Sequence, residues 1–247
     1  FYKHWRLKIQ DLKNRSNQPF TNSKANLLYN GEIYNFKNLK KSKKINTKYN
    51  TSGDTEVLFK YLNEFGIEKT IKNIEGMFSF MYQEKKTNKV FLVRDRFGIK
   101  PLYYSFIANT LYFCSEIAGI TVNKKNNFGF NLNEMERYFK QGLVNASSET
   151  WFKNINQVPA GNFLVYSKNL GIKKIKYYKI EDHIDEELDN DKNSFKDCIK
   201  EFENRMYHSF DEHNNYDVKA GVHLSGGVDS AVLAGLISQK KLKMNSY

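Results

Sequence analysis

Near the end of the 247-residue chain, Leu224-Ser225-Gly226-Gly227-Val228-Asp229-Ser230 brings two hydroxyls, two adjacent glycines and one carboxylate together. The stretch follows Gly221-Val222-His223 and runs into Ala231-Val232-Leu233-Ala234-Gly235-Leu236-Ile237, a pattern of short strand, tight loop and apolar helix. Glycines carry no side chain to keep an anion from the backbone. A helix beginning at the loop aims free N–H groups and a partial positive charge at the same place. A phosphate or pyrophosphate suits such a nest. Asp229 stands where a P-loop would want its lysine, and an acidic residue there makes sense if Mg²⁺ bridges it to the phosphates. The competing reading is an ordinary strand-to-helix turn capped by Asp229 or Ser230.

The elements that must position these residues follow from periodicity. His4 to Asp11 alternates apolar and polar residues and reads as a strand; Gln18 to Asn22 is a loop. Ala25 to Tyr29 is a strand that Asn30-Gly31, taken locally, turns into a hairpin. Phe36 to Lys44 reads as a short basic helix. Thr51-Ser52-Gly53-Asp54 opens a longer one, with Val57, Leu58, Tyr61, Leu62 and Phe65 on one face and Gly66 as its C-cap. Hairpins are expected at Phe78–Val93, Leu102–Ser115 and Phe163–Tyr177, and a helix at Asn133–Lys140. Many strands with a few helices between them indicate an α+β domain over residues 1–180. An acidic, aromatic-free linker over 181–193 follows. Phe195, Ile199, Phe202 and Met206 then mark an amphipathic helix that opens a nucleotide-binding α/β domain over 194–247.

Composition narrows the function classes. With 40% hydrophobic and 15% aromatic residues, a sizeable core is expected. No apolar run reaches the roughly 20 residues of a membrane helix, so no membrane partner is expected. The net charge of +12 comes from lysines scattered along the chain; only six basic residues are arginines, and no aromatic-interleaved basic motif occurs. This reads as a solvated surface rather than a nucleic-acid interface. Cys114 and Cys198 lie far apart without framework spacing, which points to a reducing, cytoplasmic setting.

Two motif sets then converge. Ser-Gly-Gly-x-Asp-Ser after a strand resembles the pyrophosphate loop of ATP-pyrophosphatase enzymes. Upstream lie Arg6, Tyr29-Asn30-Gly31-Glu32-Ile33-Tyr34-Asn35, Ser52-Gly53-Asp54-Thr55-Glu56 and Gly76-Met77-Phe78-Ser79-Phe80. They are followed by Arg94-Asp95-Arg96-Phe97-Gly98-Ile99-Lys100-Pro101-Leu102-Tyr103-Tyr104, Ser115-Glu116 and Val158-Pro159-Ala160-Gly161. In this order the segments resemble the class II glutamine amidotransferase domain of the glutamine-hydrolysing asparagine synthetase family.

The resemblance implies an N-terminal-nucleophile fold, an αββα sandwich, followed by a pyrophosphate-loop domain. It implies glutamine hydrolysis through a thioester, with Asn30 and Gly31 as oxyanion donors. Arg6 would hold the glutamine carboxylate and Glu32 with Asp54 its ammonium. Leu7, Lys8, Ile9 and Gln10 would contribute from the same segment. Read alone, Arg6 could be a surface ion pair and Asp54 a helix cap. Arg94, Asp95 and Arg96 read equally as a salt-bridged turn or an interface. Leu224 to Ser230 would bind ATP, with Asp229 toward Mg²⁺, and a homodimer is one open assembly.

The family begins with a nucleophilic cysteine, whereas this chain begins at Phe1 and Cys114 and Cys198 are poor substitutes. Lys219 also stands where the family usually has proline. A fragment cut at both ends and inactive alone is therefore expected. The expected reaction of the intact protein is ATP-dependent amidation of aspartate through a β-aspartyl adenylate. The alternatives are a relative acting on another carboxylate, a ring-closing synthetase, or a non-catalytic glutamine or nucleotide sensor.

Overall fold

Buried on both faces, Phe78-Ser79-Phe80-Met81-Tyr82 forms the centre around which the first part of the chain is layered. The structure is a computed structural model that describes residues 1–42, 45, 48–122, 128–144, 147–183 and 194–247. Its elements in chain order are β1 (Phe20–Thr21), β2 (Ala25–Ile33), α1 (Phe36–Lys41), α2 (Asp54–Asn73), β3 (Gly76–Glu84) and β4 (Val90–Arg94). There follow β5 (Tyr103–Ile107), β6 (Thr110–Cys114), α3 (Ala118–Thr121), α4 (Leu132–Gln141), β7 (Asn156–Gln157), β8 (Asn162–Ser167) and β9 (Gly171–Lys176). The last are α5 (Phe195–His213), β10 (Gly221–Val222), α6 (Val228–Gln239) and β11 (Asn245–Ser246).

The chain divides into two compact units. The first comprises Phe1–Arg6, Asn17–Lys48 and Asp54–Ile184; the second comprises Leu7–Ser16, Tyr49–Gly53 and Asp185–Tyr247. This grouping differs from a single cut after residue 180, because the loops at 7–16 and 49–53 are hydrogen-bonded into the second unit. Residues 184–193 of the expected acidic linker lie outside the described residues.

In the first unit a six-stranded antiparallel sheet runs β1-β2-β3-β4-β8-β9, and a three-stranded one runs β6-β5-β7. Strand side chains alternate between faces, which sets the layers. Leu28, Met81, Leu92 and Leu164 of the large sheet pack with Leu102 and Val158, and Tyr104, Leu111 and Phe113 of the small-sheet strands lie against that cluster. On the opposite face Tyr29 reaches Asp54 at the start of α2, and Phe20 packs edge-on to Phe59 of α2. Helix, sheet and sheet are therefore stacked in the expected α+β order, with short α3 following β6 and packed against it.

Most expected hairpins are present. Three local expectations are corrected. No strand forms at His4–Asp11, although exposure alternates from Phe1 to Leu7, with Tyr2, His4 and Arg6 the less exposed. Pro19 is followed by the short edge strand β1 within the expected loop. Asn30-Gly31 does not turn the chain; it lies inside β2, whose nine residues pair regularly with β3 from Ala25↔Glu84 to Ile33↔Gly76. Gly66 does leave helical geometry, with φ 73°, but the helix resumes to Asn73 because Ile67 and Ile71 prolong the buried stripe.

In the second unit α5 begins with a reciprocal capping box between Ser194 and Asp197. Tyr207 of α5 bonds Gln239 of α6, and Lys240 meets the Asp211 carboxylate at 2.6 Å. β10 and β11 pair in parallel across α6, the connection that parallel strands require. This is the opening of the expected α/β domain.

Candidate functional site

β2 carries Asn30, Gly31 and Glu32 at positions fixed by an unusually close approach to β3. A Cβ on Gly31 would lie 2.1 Å from the Met77 carbonyl oxygen, and one on Gly76 would lie 2.0 Å from that of Glu32. Both glycines have φ near 150°, at 150° and 154°. Only residues without a side chain allow this reciprocal contact, and it holds Gly31 in a backbone conformation that other residues rarely adopt.

Along an antiparallel strand, alternate residues turn both backbone groups to the same side. At Tyr29 those groups face away from β3. Its N–H donates to Gln18 Oε1 at 2.6 Å, and its carbonyl accepts from Gln18 Nε2 at 2.8 Å. Two pairs along, the Ile33 N–H donates to Asp54 Oδ2 at 2.9 Å. Gly31 lies between them with the same facing. Among the described residues no side chain or loop carbonyl is hydrogen-bonded to its N–H. The strand edge thus presents one open donor between two closed positions, beside the Asn30 amide.

Asp54 is 5% exposed and its Oδ2 also receives the Tyr29 hydroxyl at 2.7 Å. Burial pushes its carboxyl above the usual range, while the Tyr29 hydroxyl and the N–H groups of Ile33, Asp54 and Thr55 oppose that rise. The Tyr29 phenol is raised in turn, first by burial and then by the charges of Asp54 and Glu32. Tyr34 is pushed up to about 12 by burial, with Glu32 and Asp95 adding to it. Half-buried His4 is hydrogen-bonded to the Tyr29 backbone and held below its ordinary value by burial, with the Arg6 cation contributing. Arg6 and His4, and Tyr29 with Glu32 and Asp54, are thereby electrostatically linked. Gln18, His4 and Tyr29 were missed by the sequence reading. Their roles rest on contacts distant along the chain, and no local pattern announces those contacts.

Leu7, Lys8, Ile9 and Gln10 fall in the second unit. Leu7 is exposed, Lys8 Nζ donates to Asn14 Oδ1, and the Ile9 carbonyl accepts from the Asp217 N–H. Cys114 lies in β6, with its sulfur against the space a Cβ on Gly119 would need, and Cys198 is exposed on α5.

Arg94-Asp95-Arg96 forms a turn whose charged groups, among the described residues, bond to backbone rather than to one another. The Arg94 guanidinium donates to the carbonyls of Lys100, Val158 and Gly98. The Asp95 carboxylate accepts the N–H groups of Phe78, Phe97, Ile99 and Lys100. Arg96 donates to the Ile74 carbonyl. Buried ions here close backbone groups that the tight 95–101 turn would otherwise leave unpaired.

The Leu224 to Ser230 loop is built differently. Gly227 is the N-cap of α6 and no side chain caps the helix, so its first N–H groups remain available. Gly226 adopts φ 82°, and a Cβ there would meet nothing within 4 Å. Ser230 Oγ bonds the Gly227 carbonyl at 2.9 Å and lies 3.2 Å from Ser225 Oγ. Leu224 to Asp229 are all exposed. Asp229 offers one carboxylate in the first turn. Among the described residues no group of three or more His, Cys, Asp or Glu is placed to hold a metal ion. One carboxylate beside a phosphate nest nevertheless fits Mg²⁺, which takes few protein ligands and keeps water and phosphate oxygens. No helix among the described residues is long and apolar enough to cross a membrane.

Known proteins match the chain in two consecutive stretches. A glutamine amidotransferase domain profile matches residues 1–178, and an asparagine synthase profile matches 201–247. A putative glutamine-hydrolysing asparagine synthetase 2 of Methanocaldococcus jannaschii is 32% identical over 96% of this chain and 48% of its own length. Asparagine synthetase 2 of Bacillus subtilis is 35% identical over 96% of this chain and 32% of its own. The amidase chry2 of Gibberella zeae is 27% identical over 95% of this chain and 34% of its own. The chain therefore spans half or less of the length of these relatives. Among solved structures, the glutamine phosphoribosylpyrophosphate amidotransferase of B. subtilis matches at TM-score 0.46 and 15% identity, over 93% of this chain and 48% of that one. With the amidotransferase profile spanning residues 1–178 and the asparagine synthase profile taking up the chain again at 201, the protein belongs to the glutamine amidotransferase domain family.

Proposed function

We propose that the first unit binds glutamine at the β2 edge and that, in the intact protein with the family's cysteine, the amide nitrogen is released for an ATP-dependent amidation of aspartate. The observation that carries this reading is the Gly31 N–H, an open donor held between the closed positions Tyr29 and Ile33. Attack of the family's cysteine thiolate on the glutamine amide gives a tetrahedral oxyanion that collapses to a thioester as ammonia leaves, and a donor fixed beforehand stabilises that charge without reorganising. The Asn30 side-chain amide is the second donor. Arg6 pairs with the substrate carboxylate through its planar fork. Glu32 accepts the α-ammonium. Asp54 backs that subsite, since its oxygens already hold the Tyr29 hydroxyl and the Ile33 N–H in place.

In the second unit, Leu224 to Ser230 cradle the ATP phosphates on the α6 N-terminus. Asp229 would hold Mg²⁺, which when bound shields phosphate charge. The liberated nitrogen then meets a β-aspartyl adenylate. A reducing, cytoplasmic setting belongs to the same proposal, since Cys114 and Cys198 are free thiols, and a homodimer is the assembly expected with it.

The test is calorimetric titration of the protein with glutamine, and separately with ATP and Mg²⁺. Glutamine should bind, and Arg6→Ala should weaken it by about tenfold or more, the loss expected for a charge-assisted bidentate contact. Absence of glutamine binding in the unaltered protein, or binding indifferent to Arg6→Ala, would sink the reading.

A further inference from the structure

The second unit is tied together at one buried aspartate. Asp11 is 3% exposed and sits at φ 43°, in the left-handed region that costs a non-glycine residue about 1 kcal/mol. Such a conformation persists only where its surroundings over-determine it. Here the Asp11 N–H donates to Asp217 Oδ2 at 2.8 Å, and the Asp217 N–H donates back to the Ile9 carbonyl at 2.9 Å. Asp11 Oδ2 also receives the Ser52 N–H and Arg15 Nε, both at 2.9 Å, and Oδ1 receives the Lys13 N–H at 3.2 Å. Three stretches remote in sequence are thus fastened together: 7–16, 49–53 and the approach to β10.

The ends of these loops matter. Leu7 follows Arg6 directly, and Gly53 precedes Asp54 directly. These are two of the residues proposed to hold glutamine. Asp217, by contrast, lies four positions before β10, on the run into the nucleotide loop. We propose that Asp217 is a positioning residue for glutamine binding. From the nucleotide-binding part of the chain it fixes, through Asp11, the two loops that continue into Arg6 and Asp54. The inference rests on the glutamine reading given above. A residue that merely braced β10 would instead affect ATP alone.

The experiment compares the unaltered protein with Asp217→Ala and Asp217→Asn. It reads glutamine affinity and ATP affinity by calorimetry, and amide hydrogen exchange peptide by peptide. Asp217→Ala should weaken glutamine roughly fivefold, the scale of one lost hydrogen bond. ATP affinity should stay within about twofold by the same measure, and exchange should quicken at 7–16 and 49–53. Asp217→Asn keeps an oxygen to accept the Asp11 N–H and should restore all three readouts. Asp11→Asn, which weakens the bonds to Arg15 and Ser52, should quicken exchange at 49–53 even if Asp217→Ala does not fold. Unchanged exchange at 49–53 in both Asp217→Ala and Asp11→Asn overturns the inference, as does loss of ATP binding with glutamine untouched. Should the unaltered protein bind no glutamine, the functional reading and the proposed role in glutamine binding fall together, while exchange still shows whether the tie exists. If it binds glutamine and Asp217→Ala binds it equally, only the positioning role falls.

Discussion

Gly31 and Gly226 are the same residue type at the same sign of φ, in the two parts of the molecule proposed to bind substrate, and they are glycines for opposite reasons. At Gly31 the neighbouring strand leaves no room for a side chain; at Gly226 there is open space and only the backbone angle is demanding. The proposed amide-binding region is assembled inside a sheet, its backbone positions set by strand pairing. The nucleotide loop is exposed, lightly bonded, and shaped by its own few residues. A site that must stabilise a transient oxyanion gains from rigidity, whereas a phosphate nest can close on a ligand that stays highly charged throughout.

The sharpest way to break this contrast is Gly31→Ala. The new methyl would meet the Met77 carbonyl within 2.1 Å at a forbidding φ, so a loss of about 3–5 kcal/mol is expected in urea unfolding, the range reserved for strained core positions. A change near zero would mean that β2 and β3 are less tightly apposed than described. Asp54→Ala comes next. It strands the Tyr29 hydroxyl and the Ile33 N–H in a buried place, at a cost of about 2–4 kcal/mol for two unsatisfied groups. Far less is expected of Asp54→Asn, which retains an acceptor.

Acidity separates the two regions further. Burial raises the Asp54 value in the folded protein, so its contribution to stability is present below the unfolded value and is lost as pH rises through the folded one. For Asp11, burial raises the value, but the Ser52 N–H, Arg15 and the Lys13 N–H outweigh it and the net displacement is downward. Its contribution is present above the unfolded value and is lost as pH falls through the folded one. Unfolding measured between about pH 3 and 7, which spans the ordinary carboxylate range, should show wild type gaining on Asp54→Asn and losing its advantage over Asp11→Asn as acid is added. Parallel curves would contradict the assignment.

The smallest effects on stability belong to the nucleotide loop. Gly226→Ala has space but an unfavourable φ, and about 1 kcal/mol is expected. Gly227→Ala, at an ordinary φ of −80° with Ser225 Oγ no closer than 3.5 Å, should change stability by under about 0.5 kcal/mol. It should still weaken ATP in the same titration, because a methyl then stands where phosphate must approach. If Gly227→Ala proved as damaging to the fold as Gly31→Ala, the two regions would not differ in kind.

These differences also explain what could be read in advance. The strand, loop and helix around Leu224 to Ser230 were legible because their residues are contiguous, with hydroxyls, glycines, carboxylate and helix all within one short run. The hairpins β3–β4, β5–β6 and β8–β9 were legible for the same reason, since turn residues lie between their alternating strands. Asn30-Gly31 misled for a physical reason. Asn-Gly is a strong local turn former, yet here Gly31 is required by Met77, more than forty residues away along the chain. The closing of the β2 edge by Gln18 and Asp54, and the loops fastened at Asp11, depend on partners that sequence spacing does not reveal. What the residue strings supplied at that edge was a set of candidates, through family resemblance; the arrangement came from tertiary contacts.

The double hydrogen bond from Gln18 to Tyr29 reaches beyond the site. A side-chain amide offers one donor and one acceptor, the same pair that a backbone residue would offer, so Gln18 acts as a counterfeit rung just before β1 begins. Exposed strand borders invite extra β-segments from other molecules. By occupying this rung, Gln18 leaves Tyr29 no free backbone group on that side to pair with an intruding chain immediately beside Asn30.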